Sequence, residues 1–210
     1  MSQNPQAAKK FLNLFYQEKT LQDTLVGFVK NPLTPAIQKK FSNYVLFYDL
    51  NNELVAFNIS HPKALNLEIK EGLNAPTTKL IEQLNKILGI DLSSYAEQYP
   101  IIIGQIKKVQ AIPKSHLNYC EVDIGNESLQ KIVCGGTNVR ENQYVVVVLP
   151  NATIPLGKYI TASTVLDYES NGMICSTREL GMLPQEGKVI LELSEEQAKN
   201  EIGQPFKQIY

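Results

Sequence analysis

Two short segments in the second half of the chain carry the residues best suited to chemistry. Ile132-Val133-Cys134-Gly135-Gly136-Thr137-Asn138-Val139-Arg140 and Glu169-Ser170-Asn171-Gly172-Met173-Ile174-Cys175-Ser176 each join apolar, strand-forming residues to a glycine-containing bend bearing Asn, Ser or Arg. Asn138 can hydrogen-bond the edge of an unpaired base, and Arg140 can grip a phosphate or stack on a base plane. Asn at a turn also bonds its own backbone, so the two uses compete. Ser170 and Asn171 offer a hydroxyl and an amide to a ribose or base, and Gly172 permits a backbone bend. Met173 would cover a base or fill the end of a core. Lys107, Lys114, Lys131 and Lys158 are phosphate candidates near strands or loops, each also readable as a solvated surface cation, and His116 is a weaker candidate of the same kind. Tyr119 and Tyr159 are candidate stacking platforms, worth about 1–3 kcal/mol per base where used. Tyr119 and Cys120 are consecutive on a strand and must face opposite sides; periodicity leaves open which faces out.

Other chemistries find no support. A Gly-x-Ser-x-Gly elbow, a phosphate-binding Gly-x-x-x-x-Gly-Lys-Ser/Thr loop, a His-Glu-x-x-His helix and a dinucleotide fingerprint are all missing from the sequence, so no enzyme activity is expected. Three cysteines, none in a Cys-x-x-Cys pair, and two histidines do not make a zinc site or a disulfide scaffold. Cys120, Cys134 and Cys175 are expected to be buried, reduced thiols, and no cofactor or metal is expected. With 43% hydrophobic and 20% charged residues the composition is that of a globular protein. Apolar runs such as Val145 to Leu149 are far shorter than the ~20 residues of a membrane span, and the first residues lack a signal-peptide layout, so a cytoplasmic protein is expected. The net charge is −1, and residues 101–193 hold eight Lys and Arg against nine Asp and Glu. That balance argues for weak binding to any polyphosphate, whose affinity comes largely from cations.

The elements that must position these residues divide at a connector around residues 91–100. Before it, Leu12 to Tyr16 with Thr24 to Val29, and Tyr44 to Tyr48 with Leu54 to Ile59, read as two hairpins, the second turning at Asn51-Asn52 with positive φ. Leu80, Ile81, Leu84, Ile87 and Leu88 form one helical stripe, opened by Thr77-Thr78 and stopped by Gly89. After the connector the pattern is all-β. Strands are expected at Ile101 to Val109, Leu117 to Ile124, Leu129 to Cys134, Tyr144 to Leu149 and Met173 to Ser176, with 150–171 a long link before the fifth. A last short strand at Val189 to Leu193 and a helix start at Ser194 follow. Domains are thus expected at 1–98 (α+β, two hairpins plus a helix) and 99–210 (all-β). Five strands with a long fourth connection fit a partly open five-stranded barrel of the oligonucleotide/oligosaccharide-binding (OB) fold.

Residues 101–193 resemble the tRNA-binding OB-fold domain of bacterial phenylalanyl-tRNA synthetase β chains, methionyl-tRNA synthetase C-termini and the endothelial monocyte-activating polypeptide. The resemblance rests on Ile103-Gly104-x-Ile106-x-x-Val109-x-x-Ile112-Pro113, on Cys120-x-Val122-Asp123-Ile124-Gly125, on the two segments above, and on Glu179-Leu180-Gly181. Val45 to Ile59 and Ile202-Gly203-Gln204-Pro205-Phe206 further resemble the YtpR family of bacterial tRNA-binding proteins. The chain departs from the family in a shorter 112–117 loop, in Leu166-Asp167-Tyr168, where an anion stands for a cation, and in Gly136-Thr137. The resemblance implies a non-enzymatic tRNA-binding protein acting in trans in translation. Its RNA contacts would be Lys107, Lys114, His116, Lys131, Asn138, Arg140, Lys158, Ser170, Asn171 and Met173. Implied partners are tRNA, an aminoacyl-tRNA synthetase or other translation factor, and a second copy of the chain. The alternative is a protein-interaction or dimerisation module that has kept the OB fold and lost most RNA affinity.

Overall fold

The computed structural model describes residues 9–29, 36–183 and 188–210. Contacts divide the chain between Tyr99 and Pro100.

The first unit is an antiparallel sheet with a helix on one face. Its strands are β1 (Asn13–Gln17), β2 (Thr24–Phe28), β3 (Ile37–Lys40), β4 (Tyr44–Tyr48), β5 (Leu54–Ser60) and β6 (Gly72–Asn74), in the order β3-β4-β5-β2-β1-β6. Alternation puts Leu14, Leu46 and Phe57 on the buried face, joined by Leu12, Tyr16, Leu25 and Ile59. Gly27 shares that row because Phe57 lies over it; an added Cβ would stand 2.2 Å from the ring. Helix α1 (Thr78–Leu88) lays Leu80, Ile81, Leu84 and Leu88 on this face. The Thr77 hydroxyl accepts from Leu80 N at 3.2 Å, and Gly89 ends the helix in the left-handed region. Both hairpins and the helix thus stand where the sequence placed them. The β4–β5 turn carries Asn52 at φ 58°, with Asp49 Oδ1 accepting from Asn51 N and Glu53 N. The expectation of two hairpins was nevertheless too small, since β3 and β6 complete six strands. Neither carries an apolar alternation. All four residues of β3 are exposed, as an edge strand allows.

The second unit contains β7 (Ile101–Ala111), β8 (Asn118–Asp123), β9 (Gln130–Cys134), β10 (Tyr144–Val148), β11 (Ala152–Thr153), β12 (Tyr159–Ile160), β13 (Ala162–Val165), β14 (Tyr168–Asn171), β15 (Met173–Ile174), β16 (Glu192–Leu193) and α2 (Glu195–Ala198). The main sheet runs β15-β10-β7-β8-β9, with β16 also on β10. Its core gathers Ile102, Ile106, Cys120, Val122, Ile132, Cys134, Val145 and Val147. Val145 to Val148 are wholly buried, so β10 reads as a continuous apolar run.

One expectation is met in part and one needs correction. The sheet is not closed into a barrel by hydrogen bonds, because no ladder joins β9 to β15. Side chains satisfy the outer edge of β9 instead: Val133 N donates to Ser170 Oγ at 3.1 Å, and the Gln130 amide donates to Asn171 O. The chain then bends sharply at Gly172 (φ 131°), where a Cβ would lie 2.5 Å from Val148 O. Only glycine fits there. The supposed 150–171 link is also structured, as two antiparallel hairpins, β11–β12 and β13–β14. The β11 and β12 strands are two residues each, too short to show a period, and the largely exposed β13 and β14 lack the apolar alternation that would reveal them.

Candidate functional site

On β8 and β9, Cys120, Val122, Ile132 and Cys134 point into the core, so Tyr119, Glu121, Lys131 and Val133 face outward. Tyr119 lies opposite Val133, and Glu121 opposite Lys131. The β13–β14 hairpin runs beside β9 and adds Tyr168 and Glu169 to this face. The Tyr119 and Tyr168 rings are 5.0 Å apart between centroids and tilted by 56°. Glu169 Oε1 sits 2.6 Å from Lys131 Nζ and accepts from the Tyr119 hydroxyl at 3.4 Å. The Lys131 hydrogen bond holds the Glu169 carboxyl below its ordinary range and reciprocally raises the lysine. Partial burial raises the Tyr119 phenol.

The β7–β8 turn brings Lys114, at φ 58°, and His116 to the end of β8. Ser115 holds this turn, donating to Ile112 O and accepting from Leu117 N. Lys114 and His116 are exposed and form no ion pair among the described residues. Lys107, at the bulge in β7, donates to Gln105 Oε1 at 2.5 Å and lies 3.4 Å from Asp123, while Lys108 pairs with Glu121 at 3.8 Å.

The loop after β9 is fastened to residues 188–192. Thr137 N and Oγ donate to Lys188 O, Asn138 exchanges two hydrogen bonds with the Ile190 backbone (2.8 and 3.1 Å), and Arg140 pairs with Glu192. Gln143 Nε2 also donates to Glu192 Oε2 at 3.1 Å. That arginine contact keeps the Glu192 carboxyl below its ordinary range. Asn138 therefore takes neither expected use: its amide is spent on the backbone of a distant segment instead of on its own turn or on solvent. Ser170 is buried, with its hydroxyl on Val133 N. Asn171 offers its backbone oxygen to Gln130, and Met173 is half-buried opposite Val148 on β10. Met173 lines a cleft of about 240 Å³ together with Gly135, Gly136, Ser176, Glu179 and Lys188. Lys158 sits apart at the turn of the β11–β12 hairpin, without an ion pair among the described residues.

The structure thus brings Lys131 together with the 168–171 hairpin, and Asn138 and Arg140 together with 188–192, and leaves Lys158 on its own hairpin. It adds Tyr168, Glu169, Glu179 and Lys188, none of them among the expected RNA contacts, because their neighbours are set by the tertiary fold. The thiols carry no chemistry here: all three are free and buried, and burial pushes Cys120 up to about 12 and Cys134 and Cys175 upward as well. Among the described residues no cluster of His, Cys, Asp and Glu could hold a metal ion, and no helix is long and apolar enough to cross a membrane.

Residues 101–202 match the family described as "Putative tRNA binding domain". Along nearly the whole chain there is similarity to the "Uncharacterized protein MG449" of Mycoplasma genitalium, 30% identical over 210 residues, covering 97% of this chain and 90% of that protein. The phenylalanine–tRNA ligase β subunit of Mycoplasma mycoides is 44% identical over 92 residues, covering 44% of this chain and 11% of the subunit. The same subunit of Sulfurimonas denitrificans is 39% identical over 135 residues, covering 63% and 17%. The similarity reaches only a small part of either ligase subunit. The C-terminal domain of Plasmodium vivax p43 aligns with a TM-score of 0.29 at 20% identity, over 35% of this chain and 43% of that one, too partial a likeness to inform the fold. With its sheet, its two signature segments and its full-length Mycoplasma relative in view, the chain belongs to the family of proteins that carry the tRNA-binding domain shared with the phenylalanyl-tRNA synthetase β subunit.

Proposed function

We propose that residues 100–209 form an OB-fold module that holds folded tRNA in trans. The observation that carries the reading is the tRNA-binding domain match over 101–202. The outer face of β8 and β9 supplies suitable chemistry: the Tyr119–Tyr168 pair offers aromatic surface to an unpaired base, Lys131 stands beside Tyr119, and Lys114 and His116 are exposed on the turn that leads into β8. Recognition would be by shape and backbone contact, with few bases touched. A protein of this kind works where tRNA is, in the cytoplasm, alone or beside an aminoacyl-tRNA synthetase or other translation factor. The 1–99 unit fits the extra domain of the YtpR group in this scheme. Gel-shift titration of the full chain with tRNA, in the presence and absence of an unrelated acidic polymer, tests it. Specific binding survives the competitor; displacement at equal charge concentration defeats the reading.

One observation favours a second reading, in which the module docks to protein or to its own copy and has little RNA affinity. Lys107, Lys108, Lys131 and Arg140 each already face a carboxylate of the same chain. Light scattering and a pull-down from RNase-treated lysate separate the two. Partners retained without RNA support docking, and partners lost with RNA support the first reading.

A further inference from the structure

We propose that the cleft between the two signature segments is a subsite for one unpaired guanine, read by Glu179; the proposal rests on the RNA-binding reading above and names the base that reading leaves open.

At about 240 Å³ the cleft lies below the usual range for drug-sized ligands, and a single planar heterocycle is the ligand it suits. Its lining at Gly135 and Gly136 carries no side chain. Gly136 could not carry one, since a Cβ there would stand 2.6 Å from Ile190 Cγ2. Bare peptide of this kind accepts the face of a base. Met173, half-buried on β15, adds a polarizable side chain to the lining. Lys188, exposed at the cleft, offers a cation to the phosphate of the same nucleotide.

The selective group is the carboxylate. Glu179 Oε2 accepts from Ser176 N at 2.7 Å and from Ser176 Oγ at 2.8 Å, and Ser176 itself is buried. Both bonds fix the carboxylate in place. Oε1 accepts no hydrogen bond among the described residues, so its two lone pairs remain for a ligand. Guanine alone presents two adjacent donors, N1–H and the N2 amino group, on its pairing edge. Adenine and cytosine set a ring acceptor beside their amino donor, and uracil flanks its single N–H with two carbonyls. Each of these brings an acceptor against an anion, which is a penalty as well as a missing bond. A fixed carboxylate therefore selects guanine both by attraction and by repulsion of the other bases.

The test uses the full chain and fluorescein-labelled oligouridylates bearing one central guanosine, inosine, adenosine or uridine, read by anisotropy. Guanosine is expected to bind about tenfold more tightly than adenosine or uridine, with inosine, which lacks the N2 amino group, in between. Glu179→Gln is expected to erase that preference. Because Glu179 also ties Ser176, the unsubstituted protein is titrated in parallel with 5′-GMP and 5′-UMP while the Gly135, Gly136 and Ser176 amide signals are followed. Shifts at these amides with GMP and not with UMP support the subsite even if the variant fails to fold. Equal binding of the four oligomers alongside intact tRNA binding overturns the guanine assignment and leaves the RNA reading standing. Failure of the unsubstituted protein to bind tRNA overturns both.

Discussion

Tyr119 and Glu169 make opposing demands on the same small patch. Tyr119 places aromatic surface outward, where a stacked base would gain about 1–3 kcal/mol, so Tyr119→Ala is expected to weaken tRNA binding by that amount in anisotropy titrations. Glu169 meanwhile occupies Lys131, and Glu192 occupies Arg140. Both carboxyls are held below their ordinary value of 4.5 by these cations. A depressed folded-state value means the stabilisation is complete above 4.5 and is lost as pH falls through the lower folded value. Chemical denaturation from pH 7 to pH 3 should show stability declining in that acid window, with a shallower decline in a Glu169→Gln, Glu192→Gln variant. An identical slope would remove these two pairs from the account. Gly172 makes a harder demand. With φ at 131° and Val148 O in the way, Gly172→Ala should cost at least about 2 kcal/mol of stability, read by urea unfolding.

At the scale of elements, side chains do what ladders do elsewhere in the sheet. Thr137, Asn138 and Arg140 fasten the loop after β9 to residues 188–192, and Ser170 and Gln130 fasten β14 to β9. Removing the two Asn138 bonds in Asn138→Ala should lower stability by about 1–3 kcal/mol with an unchanged denaturant dependence. A larger loss of affinity than of stability would instead mean that the amide touches RNA directly. These fastenings explain what sequence could and could not tell. The apolar runs of β7 to β10 and the stripe of α1 bury their periodicity in two cores and were legible for that reason. β3 and the β13–β14 hairpin are exposed, and β6, β11 and β12, although partly buried, are only two or three residues long, so none of them shows such a pattern. The signature segments were legible as segments. Their partners were not, because Ile190, Glu192 and Val133 meet Asn138, Arg140 and Ser170 only through the tertiary fold, and an asparagine clamped to a backbone looks the same in sequence as one facing solvent.

For the whole molecule, charge decides how RNA could be held. Lys107, Lys108, Lys131 and Arg140 each face a carboxylate, whereas Lys114, Lys158, Arg178 and Lys188 have no ion pair among the described residues. A module with few unengaged cations must rely on shape and stacking for much of its affinity. The most direct test is the salt dependence of full-chain binding to folded tRNA. Counting only the unpaired cations of residues 101–193, the logarithm of the association constant should fall against the logarithm of salt with a slope of roughly −3 to −4, and folded tRNA should stay tighter than an unrelated polyanion throughout. A slope near −7 would mean that all the paired cations leave their carboxylates, and affinity no greater for tRNA than for the polyanion would contradict tRNA recognition itself.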